Sequence, residues 1–127
     1  MTSEELLLEF GKAEMLGDLI FDRNGFIRLN ANDVFPILIE NCDAEEFFVR
    51  VILCEINRDK VEGCVHRLLS INMQLINCGA YIYWNEQTNM LGISKILSVK
   101  GLSPQHLSTL ITILLLEAEG VMNELDM

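Results

Sequence analysis

His66 and His106 are the two imidazoles of the chain, and imidazole is the side chain best suited to zinc ligation and to proton transfer near neutrality. They lie on separate stretches of helical periodicity and pair with no obvious ligand pattern. No H-E-x-x-H, G-x-S-x-G, G-x-x-x-x-G-K-[ST] or G-x-G-x-x-G occurs, so zinc hydrolysis, serine acylation and nucleotide-phosphate binding have no sequence support. Asp22-Arg-Asn24-Gly25 has the flavour of a calcium loop but lacks its ligand spacing and its twelfth-position glutamate. Cys42, Cys54, Cys64 and Cys78 form no C-x-x-C pair. In a chain with no secretory leader they are expected to be reduced and structural. Nineteen Asp and Glu will produce carboxylate pairs in any fold, and a solvated acidic surface accounts for them without a reaction.

These side chains belong to 127 residues, which is one domain, with nineteen acids against nine Lys and Arg and a net charge of −10. Such a field repels phosphate backbones and anionic lipid heads, so neither nucleic-acid nor membrane binding is expected. The opening MTSEELLLEF has glutamates where an export signal has lysines. The C-terminal apolar run is far shorter than the ~20 residues of a membrane span. A soluble cytoplasmic domain is the expectation.

The elements follow from punctuation and period. Thr2-x-x-Glu5 is a capping box, and Leu6, Leu7, Phe10 and Ala13 continue it as a helix from about Ser3 to Met15, stopped near Gly17. Asn24-Gly25 between apolar runs predicts a hairpin or a tight entry into a strand at Phe26–Leu29. A strand over Val34–Glu40 must place Pro36 at an edge or bulge. Glu46–Ile56 is apolar at nearly every position, which suits a strand covered on both faces, or covered on one and used for binding on the other. Asp59-x-x-Glu62 opens a second helix running to about Asn77 and closed by Gly79. Ala80–Trp84 and Met90–Leu97 make a hairpin, and Ser103-Pro104 caps a last helix reaching about Leu125. Helix, strands, helix, strands, helix predicts a single α+β domain, an antiparallel sheet with helices.

Two features point to binding. Val61, Val65, Leu68, Asn72 and Leu75 recur at coiled-coil spacing on the second helix, so this stripe either meets a second helix or packs on the sheet. Apolar side chains also exceed what one small core absorbs, notably Phe47 to Leu53 and the last helix between Leu107 and Leu116. Apolar excess under an acidic surface fits a protein that shields another chain's sticky segment.

The sequence resembles the class I type III secretion chaperones, small acidic cytoplasmic proteins related to the Tir chaperone. Leu6-Leu-Leu-Glu-Phe10, then Leu19-Ile-Phe-Asp22 with Gly25, is similar to the family's leucine-rich helix and L-x-F-D-x-x-G stretch. Leu68-Leu-Ser-Ile-Asn72 resembles its LL-x-x-N segment, and Gly79-Ala-Tyr-Ile-Tyr-Trp84 and the terminal leucine-rich helix match its later elements. The resemblance implies an α-β-β-β-α-β-β-α fold and a homodimer through the central helix, which selects Val61, Val65, Leu68, Asn72 and Leu75 as the dimer surface. It implies a bacterial, cytoplasmic chaperone that uses no ATP, cofactor or metal. Its partner would be the non-globular N-terminal segment of a secreted effector. That segment would lie in grooves made by the first helix and the sheet, with Leu7, Phe10, Phe26, Leu29, Ile37 and Ile39 as lining residues, and part of it could add as an edge strand. Two alternatives stand beside it: a regulatory protein of the same fold that sequesters a transcription regulator, and a small-molecule-binding or enzymatic α+β domain.

Overall fold

The computed structural model describes residues 1–30 and 34–125. The capping box forms as the spacing predicts: Thr2 Oγ1 accepts from Glu5 N–H while Glu5 Oε1 accepts from Thr2 N–H, which opens α1, Ser3–Ala13. Ser3 is fully buried behind it, its N–H donating to Ala44 O at 2.8 Å and its hydroxyl to Asp43 O at 3.1 Å. The start of α1 is therefore fastened to the far turn of the sheet.

Of the two outcomes open to Asn24-Gly25, no hairpin forms, because residues 18–22 carry no strand. Asp22 instead closes a tight turn, taking Gly25 N–H on its carbonyl and Asn24 and Phe26 N–H on its carboxylate. Gly25 adopts φ +84, which only glycine holds without strain, so the Asn-Gly signal marks a tight entry into β1, Phe26–Leu29. Then come β2, Ile37–Asn41, and β3, Glu46–Glu55. Pro36 lies just ahead of β2 and contributes only its carbonyl, which accepts from Ile52 N–H.

The second helix is two helices. Asn57, not Asp59, is the N-cap, accepting from Lys60 N–H, and opens α2, Arg58–Gly63. Cys64 leaves helical geometry at φ −119, and α3, Val65–Leu75, starts afresh. A 3-10 turn at Ile76–Cys78 ends at Gly79 in the left-handed conformation. The hairpin follows as β4, Ala80–Asn85, and β5, Met90–Ser98, and α4, Pro104–Leu125, closes the chain.

All five strands pair antiparallel in the order β1-β2-β3-β5-β4, so β5 inserts between β4 and β3. Along β3 burial alternates: Phe47, Val49, Val51 and Leu53 are buried, whereas Phe48, Arg50 and Ile52 are half-exposed. The buried face carries the core, with α4 packed on β3 and against both α1 and α3. This is the two-layer α+β arrangement that the element order predicts, a sheet with its helices on one face. Among the described residues no helix is long and apolar enough to cross a membrane.

Candidate partner-binding surfaces

Leu7, Phe10, Leu29, Ile37 and Ile39 are all brought together, but inside the core, from 0% to 7% exposed. Phe26 is set apart from them. In β1 the buried residues are Ile27 and Leu29, so Phe26 looks out from the opposite face, at register with Glu40. Within one chain Leu7, Leu29, Ile37 and Ile39 are packing between α1 and the sheet, and Phe10 alone of the six also borders an open groove.

On α3 the helical wheel is turned by about one residue from the predicted seam. Leu68 and Leu75 are buried, with Ile71 beside them, and Val61 is half-buried against the core. Asn72 Oδ1 accepts from Ile82 N–H at 2.9 Å, committing that side chain to β4 of its own chain. The exposed apolar stripe is Val65 (41%), Leu69 (59%), Met73 (70%) and Ile76 (63%), so Val65 is the member common to both stripes. Both stripes have near-heptad spacing. Which one faces out depends on where the sheet lies, and periodicity carries no information on that.

An open apolar groove lies between the end of α1 and the middle of α4. Phe10, Leu16, Ile111, Leu115 and Leu116 line it, and its volume is about 380 Å³. The chain turns back sharply to build its lip. Glu14 N–H closes α1 on Phe10 O, Met15 takes φ +58, and Leu16 N–H returns to Gly11 O at 2.8 Å. Gly11 allows this approach, because a Cβ there would overlap Gly17 O and the Leu19 side chain. Glu14, Ser108, Thr112 and Glu119 complete the lining, which holds no cationic side chain. The sequence holds only a faint signal of this groove, the breadth of the apolar surface on the last helix.

The sheet face away from the core is aromatic and centred on Arg50. Its guanidinium pairs with Glu40 at 2.6 Å, donates from Nε to Ser94 Oγ at 3.3 Å, and lies over the Phe48 and Tyr83 rings at 4.8 and 5.3 Å. Burial pushes the Tyr83 phenol up from its ordinary pKa, opposed by the Arg50 charge. Gly92 makes room for that ring, since a Cβ there would meet Tyr83 Oη and Val51 O at 2.6 Å. Tyr81 and Ile96 extend the patch toward solvent.

Cys54 and Cys64 are half-buried free thiols, and burial followed by the neighbouring Cys64 raises the Cys54 pKa. Cys42, Asp43 and Glu46 approach one another at the β2–β3 turn, but the Asp43 carboxylate already accepts the N–H groups of Glu45 and Glu46 at 2.8 Å. That geometry is a turn, with the Asp43 carboxylate committed to its backbone.

The profile of the Tir chaperone protein (CesT) family matches residues 5–122. No curated protein sequence matches the chain. Among solved structures, the HopA1-SchA chaperone-effector complex aligns with a TM-score of 0.74 at 22% identity, covering 94% of this chain and 91% of that one. The ExoU-SpcU heterodimer of the Pseudomonas aeruginosa type III secretion system aligns at 0.65 and 14% identity, covering 98% and 95%. The Yersinia pestis type III secretion chaperone SycH, solved with a fragment of YscM2, aligns at 0.64 and 12%, covering 93% and 98%. Identities this low speak to the shared fold.

Proposed function

We propose that this chain, which belongs to the Tir chaperone protein (CesT) family, binds the non-globular N-terminal segment of a type III secreted effector and keeps it soluble and competent for secretion. The family match across residues 5–122 carries this reading, and the structures it resembles include chaperones held with their effectors. The work is done by binding free energy, with no nucleotide, metal or covalent step, in the bacterial cytoplasm. Apolar surface left uncovered on a strongly acidic chain is the physical means: the surface takes up the cargo's apolar side chains while the net charge keeps the complex apart from its neighbours.

A homodimer through α3 is the assembly this reading expects. Val65, Leu69, Met73 and Ile76 supply its contact in place of Leu68, Asn72 and Leu75, whose side chains are already engaged within one chain. A two-fold axis would oppose this stripe to itself. The groove between α1 and α4 is the accessible cargo surface beside Phe10, and the buried set Leu7, Leu29, Ile37 and Ile39 forms its support. The test is a tagged pull-down from the host under secreting conditions, with sizing by light scattering. A dimer holding one exported protein through its N-terminal segment is the expected result. Recovery of a transcription regulator would move the chain to the regulatory reading, and recovery of no protein would overturn both.

A further inference from the structure

The groove between α1 and α4 has an electrostatic character of its own. Its walls are apolar, and its charged lining residues are Glu14 and Glu119, both exposed and both acidic. Thr112 adds no outward donor, because its hydroxyl donates back to Ser108 O at 3.0 Å. Glu14 is also at the wrong end of a helix. It is the C-cap of α1, where the helix dipole already concentrates negative charge and where a lysine or arginine is the stabilising choice. A carboxylate there opposes the stability of α1, against the favourable charge of Lys12 in the same last turn.

We infer that this groove selects a segment in which a large apolar side chain is flanked by lysine or arginine. This rests on the chaperone reading and names the chemistry of the segment held. The apolar side chain fills the space beside Ile111 and Leu115, and the flanking cations meet Glu14 and Glu119 together with the negative end of α1. An acidic segment of equal hydrophobicity is rejected by the same field.

The experiment uses the full chain and two labelled peptides with a central Leu-Phe pair, one flanked on both sides by lysines and the other by glutamates, followed by fluorescence anisotropy. The lysine peptide binds about tenfold more tightly at low salt, and the ratio shrinks at high ionic strength. The double substitution Glu14→Gln with Glu119→Gln reduces the ratio to about twofold, as expected when exposed charges are removed. Leu116→Gln, at a side chain exposed enough to leave the fold intact, weakens the lysine peptide about fivefold. Equal binding of the two peptides, or a Leu116→Gln protein that binds as before, overturns the inference. A charge-blind groove in a protein that still captures an effector leaves the chaperone reading standing. Failure to capture any protein removes that reading instead.

Discussion

Asn72 of α3 and Ile82 of β4 are joined by a side chain to backbone hydrogen bond, Ile82 N–H to Asn72 Oδ1 at 2.9 Å. β4 is an edge strand, and an edge strand offers its outward N–H groups to any passing strand. The carboxamide occupies that donor. The other edge is blunted in a similar way, where Asp22 holds both the N–H and the carbonyl of Phe26 on β1.

Replacing Asn72 should therefore separate hydrogen bonding from packing. Asn72→Leu removes the acceptor, costs about 1 kcal/mol of stability and raises the amide exchange rate of Ile82, whereas Asn72→Asp keeps an acceptor and the protection. Exchange measured by NMR checks this, and equal Ile82 exchange in the two variants would contradict it.

The exposed stripe of α3 gives a test of assembly. Leu69→Asp or Met73→Asp is expected to yield a folded monomer, because both side chains face solvent in the single chain. Leu68→Asp places a charge in the core and should unfold the protein. Light scattering with circular dichroism distinguishes these outcomes, and a Leu69→Asp protein that remains dimeric would move the interface elsewhere.

Phe10→Asp and Ile39→Asp test a different point. At 4% and 0% exposure these side chains are core, and a buried aspartate there costs about 3–5 kcal/mol, a large part of the stability of such a domain. Thermal unfolding should show a lowered or absent transition. A cooperative transition at the wild-type temperature would mean that α1 lifts away from the sheet and opens a groove at these residues.

Alkaline pH should act on Tyr83. Its phenol is raised above the ordinary value by burial, so the folded state prefers it neutral. That preference contributes stability in full below the unfolded pKa of about 10 and is lost as pH rises through the folded value. Denaturant midpoints should fall above pH ~10 in the wild type and fall less in Tyr83→Phe. Identical pH profiles for the two proteins would rule out this contribution.

Much of the architecture could be read from punctuation. Thr2 with Glu5, Asn24-Gly25, Gly79 and Pro104 each act locally, and each sits where its chemistry places it. The break at Cys64 follows Gly63, a weak helix former that sits inside the single helix read from the periodicity, and α2 buries no residue that would hold it in line with α3. Asp59 and Glu62 have capping-box spacing, but Asn57 two residues earlier has a side chain that reaches Lys60 N–H first. The family resemblance proposed from scattered leucines is matched by the family profile. The groove residues that the resemblance implies are apolar positions on α1, β1 and β2, and sequence cannot tell a side chain that lines a surface from one that supports it.

The insertion of β5 between β3 and β4 has a kinetic consequence. β1, β2 and β3 can assemble from neighbouring segments, while the longest strand pairing in the sheet, β3 with β5, waits until residue 98 has been made. Until then β3 presents an unpaired edge flanked by Phe47, Val49 and Val51, the kind of half-built sheet that recruits other chains. During its own synthesis a protein that shelters sticky segments is itself such a segment, and slowing translation before β5 should increase its loss to aggregates.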